Sequence, residues 1–316
     1  MNPRFDHVVY ALALGALTTV ALDAQSSVVV LTLPASARAA GGGDAAPFVS
    51  DAAALFYGAQ HLPNDRSASL SAGTWIGDVQ LATLAYSTPW RRRVIAVGVQ
   101  SLDYGSVDEV IPDPLADGTR GTATGGRVSG SELAASVGLA QTMGRSRTGV
   151  AVTYVHQQVA DLSASAVTMS ASHGITMGAW DLDLSAEHGG APAGNPAQRH
   201  LTVPFTTRLS VATPSWSLAG SRWRGIAEYR RANREGSTSV IGAAGAFATG
   251  AGWMLEVRGA GVSYSDATAR ARWSAGGSAA RGAWSLDYAY QGFGALGAVH
   301  RMGVSWRSRG PRSPSR

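Results

Sequence analysis

The sequence predicts an all-β fold: a transmembrane antiparallel β-barrel of about fourteen strands with a short N-terminal plug segment. Three observations predict it: apolar and polar residues alternate along most of the chain, long and short connections alternate, and tryptophans map to one rim. Composition narrows the field first. Of 316 residues, 15% are charged and 39 are glycine, against roughly 25% and ~7% in an ordinary soluble domain. With 45% hydrophobic residues and a formal charge of only +5, the chain can bury enough apolar surface to fold. Cys is absent, which excludes disulfides, Cys-ligated zinc and thiol catalysis. The 26 basic residues are all Arg and are scattered, so no nucleic-acid partner is expected.

Residues 1–24 read as an export signal. Arg4 gives a weakly basic start, residues 8–22 are apolar but too short to span a bilayer as a helix, and cleavage is expected after Ala24. Residues 25–66 are rich in Ala and Gly and lack alternation. Asp51 is suited to cap a short helix over residues 52–58, and Gly41 and Gly43 let the backbone bend or approach a wall closely. This segment is expected to be an internal plug, followed by the barrel over residues 67–307 and a basic disordered tail over 308–316.

Strands are expected to begin at Ser67, Val79, Arg92, Gly130, Arg147, Ala164, Ala179, Leu201, Trp216, Gly236, Gly252, Thr268, Ala283 and Ala298. In AWSLDYAYQ, Trp284, Leu286, Tyr288 and Tyr290 share one face while Ser285, Asp287, Ala289 and Gln291 share the other. The same register turns Glu132, Asp181, Asp183, Glu187, Glu256, Arg258, Arg270, Arg272 and Asp287 toward the lumen. The ninth run changes phase between Leu218 and Trp223, which predicts a β-bulge near Gly220. Long connections (105–129, 189–200, 292–297) follow odd-numbered strands, and short ones at Pro89, Gly144, Pro214, Gly250 and Arg281 follow even ones. That asymmetry belongs to outer-membrane barrels. Trp180, Trp216, Trp253, Trp284 and Trp306 map to the short-turn rim as an aromatic girdle, with Trp90 beside them.

Both ends of the mature chain carry a further signal. SARAAGGGDAAPFVSDAAALFYGAQHL at the start and SLDYAYQGFGALGAVHRMGVSWR at the end resemble the PorV/PorQ family of FadL-like outer-membrane barrels. The likeness rests on Ala37, Arg38, Ala39, Gly41, Gly43, Phe48, Val49, Asp51, Ala53, Leu55 and Tyr57, then on Leu286, Asp287, Tyr288, Tyr290, Gly294, Leu296, Gly297, His300 and Arg301. Gly58, Ala59 and Gln60 replace the family's usual Asn-Pro-Ala, and the chain continues beyond Trp306. The resemblance implies an outer-membrane protein without catalysis. Some relatives serve type IX secretion, whereas the more distant FadL-like ones pass hydrophobic small molecules through the wall.

Other motifs are weaker. Gly292, Gly294 and Gly297 spell a dinucleotide-binding pattern but lie between two strands with no helix to follow. No G-x-S-x-G elbow occurs, which excludes an α/β-hydrolase. Asp181, Asp183, Glu187 and His188 fit a hard-cation site or, more simply, a solvated lumen wall. Asp108, Glu109, Asp113 and Asp117 read as a solvated acidic loop, with Ca²⁺ as the alternative. The expectation is a monomeric transport or secretion barrel in the Gram-negative outer membrane, with a sealed structural or assembly barrel as the alternative, and with no cofactor and no metal. Its partners are outer-membrane lipid and, on the secretion reading, secreted proteins or secretion-system subunits.

Overall fold

Alternation dictates the wall, because successive side chains of a strand point to opposite faces and only one of them can meet the core. The structure, a computed structural model, describes residues 28–112, 121–193, 201–233, 236–265 and 272–308. Its strands are β1 (Ser67–Thr74), β2 (Gln80–Trp90), β3 (Arg93–Pro112), β4 (Gly121–Met143), β5 (Ser146–Val159), β6 (Leu162–Met177), β7 (Trp180–Ala193) and β8 (Thr206–Ala212), then β9 (Trp216–Leu218), β10 (Ser221–Ala232), β11 (Gly236–Ala248), β12 (Met254–Tyr264), β13 (Trp273–Arg281), β14 (Trp284–Gly292) and β15 (Ala298–Arg307). All pair antiparallel with their neighbours, and β15 returns to β1 from Ser67↔Arg307 to Gly73↔Arg301. The result is a closed barrel of fourteen staves, β9 being the continuation of β8 past Pro214. Closure leaves no edge of unpaired N–H and C=O groups, the condition for a sheet to sit in lipid.

The two faces differ in kind. Leu70, Leu84, Val97, Val137, Val152, Leu184, Leu286 and Met302 are exposed on the outside. Ser71, Thr83, Gln100, Glu132, Asp183, Ser210, Asp287 and Arg301 are buried inside. No described helix is long and apolar enough to cross a membrane.

Three sequence expectations change. The phase switch at the ninth run is a hairpin and not a bulge: Ala219 and Gly220 both take positive φ (51° and 75°), and Trp216–Leu218 folds back on Ser221–Trp223. Two left-handed residues match the twist of a tight hairpin, whereas Pro214, where the turn was expected, lacks the N–H of a ladder and merely interrupts the stave. The ninth stave therefore starts at Ser221. Second, much of the expected loop 105–129 is strand: β3 and β4 run 20 and 23 residues, and beyond Asp103 and Gly130 they pair only with each other, through two register shifts. Asp113 and Asp117 lie outside the described residues. Third, Asp51 caps a 3₁₀ helix of Ala52–Phe56, accepting from the Ala53 N–H at 2.8 Å, in place of an α-helix reaching residue 58.

The described part of the N-terminal segment, from Val28 onward, runs through the bore. It carries one short helix, α1 (Ala37–Ala40), and single 3₁₀ turns. Its small residues pack on the small inward residues of the wall. Leu55, Ala59 and Leu62 join Val94, Ala96, Ala140 and Ala151, while Val28 and Val30 join Leu81, Leu102, Val155 and Leu201. A Cβ on Gly41 would stand 2.8 Å from the Cα of Gly276, so backbone touches backbone where α1 ends against β13.

Candidate functional site: the plugged bore

Each stave contributes inward polar groups at a height set by its register, and the plug supplies their partners. In the first network, Arg38 of α1 reaches Glu256 at 3.1 Å and Asp287 at 3.3 Å. Arg258 shares those carboxylates at 2.8 and 3.2 Å, and Ser278 donates to Asp287. In the second, Arg208 of β8 bridges Glu187 of β7 and Glu228 of β10, each at 3.0 Å, and donates to the Asp44 carbonyl at 3.1 Å. Arg230 pairs with the Asp44 carboxylate at 2.6 Å and donates to the Gly43 carbonyl, while Glu228 accepts from the Ala46 N–H at 2.9 Å. In the third, Arg301 of β15 donates to the Pro34 carbonyl and to Ser71 at 2.8 Å. In the fourth, Glu132 accepts from the Val30 N–H, Tyr104 and Gln157 at 2.7, 2.6 and 2.9 Å. A buried charge is tolerated when it is paired and hydrogen-bonded, as in the first two networks, whereas Arg301 and Glu132 are held by hydrogen bonds with neutral groups.

Tyr57 ties the plug to itself. Its hydroxyl accepts from the Ala35 and Ser36 N–H groups at 2.7 and 3.3 Å, and the Arg208 guanidinium lies 5.6 Å over its ring. Gly43, at φ 72°, donates its N–H to Ser274 at 2.7 Å. Asp181 sits at the short-turn mouth, paired with Arg224. Asp183 lies 3.7 Å from His61, a plug residue whose imidazole burial holds below its ordinary pKa despite that carboxylate. Arg272 is exposed at the long-loop rim, just before β13, and Arg270 lies outside the described residues.

Trp180, Trp216 and Trp284 are exposed on the outer face at the short-turn ends of their strands; Trp306 pairs with Trp284, and Arg281 stacks 5.6 Å from Trp253. Tyr104 lies at the opposite rim with its hydroxyl turned inward to Glu132, and Tyr264 lines the bore there.

Sequence reasoning missed Asp44, Arg208, Glu228 and Arg230, and it named His188 only as a candidate cation ligand. Arg208 was available from the alternation of TTRLSVA. Glu228 and Arg230 were hidden by the misplaced turn. His188 is turned inward by a bulge, in which two β7 residues, Glu187 and His188, face Ser170 alone; its φ is 60° and its Nδ1 has no hydrogen-bond partner. Among the described residues no group of three His, Asp or Glu side chains is placed to hold a metal. On the outer face His156 Nδ1 and Tyr154 Oη meet Ser165 Oγ at 3.0 and 2.9 Å, and among the described residues no carboxylate bonds that ring to complete a triad.

Three of the spaces that the plug leaves lie along the bore between its two mouths. A cavity of about 300 Å³ at the long-loop rim is lined by Leu31, Leu33, Trp75, Val262, Tyr264 and Phe293 above a floor that includes Arg208, Arg230 and Asp44. A space of about 590 Å³ at the short-turn rim is polar, with His61, Arg147, Asp181, Asp183 and Arg224. Between them lies a void of about 20 Å³ beside Tyr57, Glu187, His188 and Arg208, room for one water. Leu31, Leu33, Asp44 and Arg208 border both this void and the long-loop cavity.

No protein-family model and no curated protein matches the sequence. Solved structures do match. The chain is similar to the Pseudomonas putida toluene transporter TodX, at 10% identity over 86% of this chain and 97% of that one, with a TM-score of 0.58. It is also similar to the Ralstonia pickettii toluene transporter TbuX (10% identity, 86% and 98%, TM-score 0.56) and to a Pseudomonas aeruginosa FadL homologue (11%, 86% and 98%, TM-score 0.53). The fold is FadL-like.

Proposed function

We infer that the protein is an outer-membrane conduit for small apolar molecules, with its own N-terminal segment as the stopper. The observation that carries this reading is the long-loop cavity: a chamber at one mouth with an apolar, aromatic side of Leu31, Leu33, Trp75, Val262 and Phe293 and a water-sized void beneath its floor, the plug standing between it and a polar chamber at the other mouth. A molecule entering at the long loops finds apolar contact, then a plug whose ion pairs must rearrange to let it pass. Likeness to barrels described as toluene transporters supports transport over catalysis, and the short-turn and long-loop rims set the periplasmic and external sides. The reading includes export through the signal at residues 1–24. The test is toluene uptake by intact Gram-negative cells, whose lipopolysaccharide leaflet slows apolar entry. Cells displaying the protein should take up toluene faster than cells without it; equal initial rates would overturn the proposal.

The PorV/PorQ resemblance supports a second reading, a surface partner in protein secretion. One feature favours it: the β3–β4 ribbon, which rises past both neighbouring strands. Replacing residues 105–129 by a tight turn should then abolish capture of exported proteins while leaving toluene uptake intact.

A further inference from the structure

The long-loop cavity carries a feature that an apolar conduit does not need. Gln291, near the end of β14, lines it while only 6% exposed, and its Oε1 has no hydrogen-bond partner. Leaving a buried amide oxygen unsatisfied is costly, and an occupant that draws the carboxamide round to hydrogen-bond with it recovers that cost. Of the other polar atoms lining the cavity, Asp44 Oδ1 is also without a partner, but it belongs to a carboxylate already held by Arg230. Ser274, the cross-strand neighbour of Gln291, accepts from the Gly43 N–H at 2.7 Å. The two floor cations are committed as well: Arg208 to Glu187, Glu228 and the Asp44 carbonyl, Arg230 to the Asp44 carboxylate and the Gly43 carbonyl. Three carboxylates, Asp44, Glu187 and Glu228, outnumber the two guanidiniums, so the floor offers no anchor for an anion and repels one. Above it, Trp75 and Phe293, from the loops after β1 and β14, pack edge to face at 5.0 Å and 79°.

We propose that this cavity binds uncharged molecules made of an apolar, ring-sized body and one hydroxyl, with Gln291 reading the hydroxyl. A half-turn of the carboxamide exchanges its donor and acceptor ends, and a hydroxyl, which donates and accepts, fits either setting. A carboxylate of the same shape is rejected by the excess of carboxylates at the floor, and a hydrocarbon leaves Gln291 unsatisfied. This rests on the small-molecule reading above and narrows its substrate class.

The experiment measures binding of three probes with one body, p-cresol, toluene and p-toluate, to the full chain in detergent, followed by Trp fluorescence. Cresol should bind roughly three- to tenfold more tightly than toluene, the yield of one hydrogen bond, and p-toluate weakest. Gln291→Leu should remove the preference for cresol and keep toluene binding, with heat-modifiable gel mobility reporting that the variant is folded. Equal binding of cresol and toluene to the natural chain, tightest binding of p-toluate, or a preference that survives in Gln291→Leu would each overturn the proposal while leaving the conduit standing. Failure of all three probes to bind would remove both.

Discussion

Arg208 is the residue on which the middle of the bore depends. It alone bridges Glu187 and Glu228, whose side chains are 3% and 0% exposed, and it holds the plug through the Asp44 carbonyl. Removing one partner from a buried ion network is far more costly than never having built it, because the remaining charges stay desolvated. Arg208→Met should therefore destabilise the barrel by about 3–5 kcal/mol, read as a lower urea midpoint in lipid vesicles. Glu256→Gln is the contrast. Its side chain is 22% exposed, and Arg38 and Arg258 keep Asp287 as a second acceptor, so solvent screening should hold its cost to about 1 kcal/mol or less. Equal losses would show that these pairs do not differ in desolvation as their burial implies.

At the scale of elements, the turn at Ala219 and Gly220 sets where the ninth stave begins and so which of its residues look inward. Both residues need the left-handed region, which a β-branched side chain resists. Gly220→Val should cost about 1–2 kcal/mol, visible as slower refolding and a lower midpoint, whereas Ser215→Ala, before β9 and outside that turn, should do neither. This hairpin also marks where sequence reading stopped working. Period-two alternation is a local property, so fourteen staves and the inward phase of Asp183, Arg258 and Asp287 were legible from single runs. Whether a phase change is a bulge or a turn depends on backbone conformation at two residues, and Pro214 offered a more familiar turn signal five residues too early. The pairing of plug and wall was less legible still. Nothing local links Arg38 to Glu256 or Asp44 to Arg230, because those partners meet only once the barrel has closed. His188 depends on a bulge that shifts register by one, which alternation cannot announce.

The whole molecule reads as one cylinder with an apolar outside, and its depth axis can be tested directly. Leu84, 58% exposed, pairs with Leu70, 51% exposed, near the middle of β1 and β2. Val107 is more exposed, at 67%, but lies on the β3–β4 ribbon beyond the last pairing with β2 at Asp103 and with β5 at Gly130. In water the two substitutions Leu84→Arg and Val107→Arg would be nearly equivalent, since each places a charge on an open strand face. In a bilayer they separate: an arginine facing lipid near the midplane costs about 2–4 kcal/mol and one clear of the interface about nothing. Reversible unfolding of both variants from vesicles should show a large loss for Leu84→Arg and almost none for Val107→Arg. If the ribbon lay against lipid, Val107→Arg would lose stability too; if the outer face met water, neither would.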